Sequence, residues 1–145
     1  MIRRSAKINI NAPVNKVFEV TADGRQQLIW DKGSFSALEE LTPPPTQKGS
    51  KFKCRVKGMG KMMYEFAEYQ PPGIFVHKSV TGMCYGTHYF QFTETAEGTL
   101  FSQTMELRMR GFFILLSPFV SFGLQRSLNR MNKELKAYIE SKIQT

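Results

Sequence analysis

Apolar residues recur mainly at every second position from Ser34 to Met109, and at every third or fourth position after Gly111. A chain with that change of period builds strands first and closes them with one long helix. Alternation is strictest over Lys51–Lys57, where Phe52, Cys54 and Val56 take one side and Lys51, Lys53, Arg55 and Lys57 the other. Thr99–Met109 sets Phe101, Gln103, Met105, Leu107 and Met109 against Ser102, Thr104, Glu106 and Arg108. Ser34–Leu41, Lys61–Tyr69, Ile74–Val80 and Cys84–Thr93 are predicted as the intervening strands. The breaks between strands fall at Thr42–Pro45, Gly58-Met59-Gly60, Pro71-Pro72-Gly73, Gly82 and Glu97-Gly98.

Ahead of these, Ile2–Ile10 reads as a strand. Asn11 is expected to cap, and Pro13 to open, a short helix over Val14–Ala22, which Asp23-Gly24 ends before a further short turn at Arg25–Trp30. In the terminal helix Phe113, Leu116, Val120, Leu124, Leu128, Met131, Leu135, Tyr138 and Ile139 share a face, with Arg126, Arg130, Lys133 and Lys136 opposite. The class is therefore α+β, one domain over residues 1–145, with seven antiparallel strands and two short helices between strands one and two. Only the C-terminal helix is long enough to cover the apolar face of such a sheet. A sheet curled round a single helix leaves space between them.

Charge and cysteine content narrow the function classes. Two cysteines, Cys54 and Cys84, form no disulfide framework, and no Cys/His cluster suggests a metal; no cofactor is expected. Residues 1–7 carry positive charge with no apolar stretch behind them, so they do not read as a signal peptide. The uncharged run between Arg110 and Arg126 is fifteen residues, short of the roughly 20 that span a bilayer. A cytoplasmic protein is expected. The net charge is +8, concentrated in the stripe Lys48, Lys51, Lys53, Arg55, Lys57 and Lys61. No aromatics are interleaved on the face of that stripe, so it reads as a solvated surface and no nucleic-acid partner is expected.

The opening strand followed by "NAPVNKVFEVTAD" resembles the start of small START-related domains. Trp30, Pro71-Pro72 and Gly98-Thr99 match the punctuation of the same superfamily, and the likeness runs from Ile2 to about Ile139. The superfamily includes the birch-pollen allergen and the polyketide cyclase/dehydrase-like proteins. The resemblance implies a helix-grip fold, a curved sheet wrapped round the C-terminal helix. It implies no shared catalytic residue, because the superfamily holds lipid carriers, hormone receptors, chaperone activators and cyclases alike.

The expected cavity wall comprises Phe52, Cys54, Tyr64, Phe66, Phe75 and His77, then His88, Phe90, Phe101, Gln103 and Met105, with Leu116 and Val120 from the helix. Polar side chains among apolar ones are the usual composition of a ligand site. A hydrophobic lipid, polyketide or isoprenoid is the expected ligand. An alternative is a small cyclase or dehydratase using His88 and Tyr64, since the two histidines are the natural acid/base groups near neutral pH. No carboxylate is placed clearly inward; Glu68 comes nearest. Cys54 reads as an inert core thiol, and Cys84, beside Gly82 and Gly86, as more exposed. Gly58-Met59-Gly60-Lys61 lacks the features of a phosphate loop and reads as a hairpin turn. Phe112–Leu124 is apolar nearly all round, which suits a cavity mouth, a homodimer contact or a peripheral membrane contact, and a protein- or membrane-interaction module acting through it is a further alternative. Pro118 and Gly123 are expected to bend the helix there.

Overall fold

The N-terminal strand pairs with the last one. β1 (Ile2–Ile10) runs antiparallel to β7 (Gly98–Met109), from Ile2 opposite Leu107 to Ile10 opposite Thr99. Between them in sequence lie α1 (Val14–Ala22), α2 (Gly24–Trp30), β2 (Phe35–Glu40), β3 (Lys51–Val56), β4 (Gly60–Gln70), β5 (Ile74–Thr81) and β6 (Cys84–Thr95). All seven strands form one antiparallel sheet in the order β1-β7-β6-β5-β4-β3-β2, so the two short helices bridge its two edges. The computed structural model describes residues 1–143. Residues 144 and 145, part of the expected domain and terminal helix, lie outside the described residues.

Local chemistry departs from expectation at both kinds of helix start. Asn11 does not cap α1: Pro13 is the N-cap residue, and the backbone N–H of Asn11 donates to Glu140 Oε2 at 2.9 Å instead. Asp23 ends α1 and caps α2, its Oδ1 accepting from the Arg25 N–H at 3.0 Å. Beyond β7 the chain is not one helix. Gly111–Leu116 forms a 3₁₀ segment, and α3 (Ser117–Ile143) begins next to Pro118. Proline lacks the N–H and its ring collides with the carbonyl four residues back, so it starts a helix far more readily than it lies within one. Pro118 therefore divides two helical pieces rather than bending one.

The concave face of the sheet grips α3, which packs along β1 and buries Leu128, Asn132, Leu135 and Ile139. α1 plugs one end of the grip: the Phe18 ring meets Phe75, Phe92 and Tyr69 edge-on at 5.5, 5.1 and 5.5 Å. Gly98, at φ +146, lets the β6–β7 turn run against the Ile10–Ala12 backbone, where Thr99 Oγ1 donates to the Ala12 carbonyl at 2.8 Å. A bulge in β4 between Phe66 and Glu68 changes which side chains face inward. Ahead of it Tyr64 and Phe66 point to the core; after it Tyr69 does, and Glu68 turns out to meet Lys48 at 3.7 Å.

Candidate functional site

The interior is solid at the α1 end and hollow at the other. Phe52, Phe66, Phe75, Phe92 and Phe101 form a continuous aromatic core with Phe18, sealed from solvent. Further along the grip a cavity of about 330 Å³ opens between the sheet and α3. Its wall runs from Gln27, Asp31 and Ser34 past the β3–β4 turn to the strand residues Tyr64, His77, Ser79, His88, Phe90 and Met105. α3 closes it with Val120, Gly123, Leu124, Leu128 and Met131. The lining surface is mostly apolar, with polar side chains among it: Met59, Met62, Met105 and Met131 all contribute, and methionine adapts its shape to irregular ligands.

Of the expected wall residues, Tyr64, His77, His88, Phe90, Met105 and Val120 lie on this cavity. Phe52, Cys54, Phe66, Phe75 and Phe101 do not; they belong to the buried core cluster, where Phe52 meets Phe66 and Phe75 meets Phe18 of α1. Gln103 stands just behind the wall, 1 % exposed. Leu116 is in the 3₁₀ segment and faces solvent. Cys84 is not exposed: it is buried on the cavity wall, its backbone N–H and sulfur both held by Thr81.

The polar groups of the wall are arranged in two ways. His88 Nε2 and Gln103 Oε1 are 2.7 Å apart, and Gln103 Nε2 donates to Asn132 Oδ1 at 2.6 Å and to the Leu128 carbonyl at 3.2 Å. This chain ties β6 and β7 to the middle of α3. His77 sits opposite His88 on β5, with its ring 4.6 Å from Tyr64 and 4.4 Å from Phe66. No hydrogen-bond partner reaches His77 among the described residues, and its Nε2 is buried without one. Burial holds both imidazoles neutral: that of His88 titrates at about 4, despite the upward pull of Gln103, and that of His77 well below its ordinary range. Burial likewise pushes the Tyr64 phenol up, and the Cys54 thiol to about 12.

The buried carboxylate is Asp31, which the strand pattern did not suggest. It lies at the end of α2, 2 % exposed, with Oδ2 accepting from Gln27 Nε2 at 3.1 Å. Its Oδ1 has no hydrogen bond and meets Arg130 Nη2 only at 4.0 Å. Desolvation raises its pKa to about 6, against the opposing pull of Gln27 and Arg130. The signal was the Trp30-Asp31 step that ends α2, legible as a helix stop but not as a wall. A second furrow, about 520 Å³ and open to solvent beside the β6–β7 turn, is lined largely by polar residues such as Asn9, Asn11, Glu97 and Lys136.

Residues that could hold a metal are lacking: no group of three His, Cys, Asp or Glu side chains converges among the described residues. The fold is shared with several solved structures. TTHA0849 from Thermus thermophilus superposes with a TM-score of 0.75 at 17% identity, covering 97% of each chain. Ara h 8.0201 does so at 0.72 and 12%, covering 96% of this chain and 97% of that one. Truncated norcoclaurine synthase from Thalictrum flavum gives 0.72 and 12%, with 94% and 92% covered. No curated protein matches the sequence. The family described as polyketide cyclase / dehydrase and lipid transport matches residues 1–140. With that match spanning nearly the whole chain, and a helix-grip fold beneath it, the protein belongs to this polyketide cyclase/dehydrase and lipid transport family.

Proposed function

We propose that the chain binds a hydrophobic small molecule of lipid, polyketide or isoprenoid type that carries an oxygen function, and acts as its carrier in the cytoplasm. The observation that carries this reading is the pairing of a mostly apolar cavity surface, rich in methionine, with one wall imidazole, His77, that has no hydrogen-bond partner among the described residues. Its Nε2 is covered, but the ring as a whole is only part-buried, so a ligand carbonyl or hydroxyl would meet the imidazole at the edge it turns to the cavity. The volume lies at the small end of the range for ligand pockets, about 300–1,000 Å³, so the ligand is compact or only part-enclosed. Two buried, unpaired cysteines suit a reducing compartment.

Solvent extraction of the purified protein followed by mass spectrometry tests the proposal. An apolar, oxygen-containing compound in stoichiometric amount is expected. No such compound, together with no displacement of an environment-sensitive apolar dye by lipids or polyketides, overturns it.

A cyclase or dehydratase reading draws on one observation, the presence of Tyr64, His77 and His88 on the same wall. It ranks second because His88 Nε2 is engaged by Gln103 and both histidines are held below the pKa that serves acid/base work at neutral pH. Turnover of a bound ligand that His88→Asn abolishes while leaving binding intact would reverse the order.

A further inference from the structure

Phe112, Leu115 and Phe119 are 75%, 79% and 77% exposed, and Ile114 and Phe122 are also more than half exposed. These side chains lie on the 3₁₀ segment and the first turns of α3, and together they form a broad apolar surface. Large apolar patches on a folded chain are usually functional.

The surrounding charge has one sign. Between Glu106 and Glu134 the chain holds no acidic residue, but it holds Arg108, Arg110, Arg126, Arg130 and Lys133. Two guanidiniums stand at the rim of the patch. Arg126 lies over the Phe122 ring, 5.9 Å from its centroid. Arg110 precedes the 3₁₀ segment, lies 4.9 Å over the exposed Tyr85 ring and donates to the Thr81 carbonyl at 3.0 Å. From β1, Arg4 reaches Ser121 Oγ at 2.8 Å.

That arrangement decides between occupants. A second copy would bring arginine rim against arginine rim on chains of net charge +8, and like charges oppose such docking. An anionic bilayer complements both features, apolar rings entering the acyl boundary while guanidiniums meet lipid phosphates. By length and apolar composition Gly111–Ile143 is a stretch that could cross a bilayer. Its second half is clamped in the sheet through Leu128, Asn132, Leu135 and Ile139, so the folded chain can lay the apolar half on a bilayer but not thread it through. Val120, Gly123 and Leu124 line the cavity within the same turns, which puts the cavity beside this face.

We propose that Phe112–Phe122 docks the folded protein on an anionic lipid bilayer, with Arg110 and Arg126 at the phosphates. This goes beyond ligand carriage and stands whether or not the cavity takes a lipid.

Flotation of the full chain with phosphatidylcholine vesicles, with and without phosphatidylglycerol, tests it. The protein should float with the mixed vesicles and dissociate as salt is raised. The double variant Phe112→Ser/Phe119→Ser should float about tenfold less, with unchanged circular dichroism and thermal midpoint, since both rings are exposed. Arg110→Gln/Arg126→Gln should lose the preference for phosphatidylglycerol. Absence of wild-type flotation, or equal flotation of the serine variant, overturns the proposal. So does a wild-type dimer in light scattering that the serine variant converts to monomer, which would assign the patch to a second copy. Ligand extraction from the serine variant reads the cavity separately, so either idea can fail alone.

Discussion

His77 and Asp31 are two side chains whose burial the protein leaves incompletely compensated. Replacing His77 by Phe among Tyr64, Phe66, Phe75 and Phe90 removes an unpaired nitrogen without removing ring contacts. His77→Phe is expected to raise stability by about 1 kcal/mol and to weaken the bound oxygen-bearing ligand by roughly tenfold. Denaturant midpoints and ligand titration measure the two effects, which should move in opposite directions. Asp31 gives a pH-dependent case. Its carboxyl holds a proton up to about pH 6 in the folded state but only to the ordinary 3.8 when unfolded. The folded state therefore binds more protons in that window, and the penalty of the buried charge is full at pH 7 and relieved as pH falls. Asp31→Asn should stabilise by about 2 kcal/mol at pH 7 and by little at pH 4. The histidines act with opposite sign: both titrate below their unfolded value, so the unfolded chain takes up protons first and wild-type stability falls as pH drops below about 6.5.

The elements show where a period in the sequence is sufficient and where it misleads. Lys51–Val56 and Gly98–Met109 alternate without a break, and both strands stand with the expected faces inward. β4 alternates only as far as Phe66; the bulge then exchanges Glu68 for Tyr69, which no parity rule reveals because the extra residue is defined by its pairing with β5. The terminal helical period is likewise continuous in sequence, yet its two halves meet different surroundings. Leu135→Ala, at a fully buried position of α3, should cost about 2–5 kcal/mol. Phe119→Ser, a larger chemical change in the same helix, should alter stability by no more than about 0.5 kcal/mol. Thermal or denaturant unfolding of the two variants side by side measures the difference.

At the scale of the whole molecule, a chain that carries a ligand gains stability from it by mass action. Protein as purified should unfold above the same protein stripped of apolar compounds, and adding back the extracted compound should restore the higher midpoint. The gain is about 2.7 kcal/mol at a hundredfold excess over Kd. The seven strands, their order of appearance, the two short helices and the closing helix from Ser117 onward were legible in the sequence, because each depends on spacing along one segment; the 3₁₀ segment at Gly111–Leu116 was not. So were Tyr64, His77, His88, Phe90, Met105 and Val120 as inward residues. What only the tertiary structure decided is which inward residues face atoms and which face space. Phe52, Phe66, Phe75 and Phe101 share the sequence signature of the wall, but other core side chains, Phe18 of α1 among them, pack against them; Asp31 has no such signature, but the end of α2 carries it to the cavity. Periodicity reports the direction of a side chain from its own backbone, and a cavity is defined by what arrives from the other side.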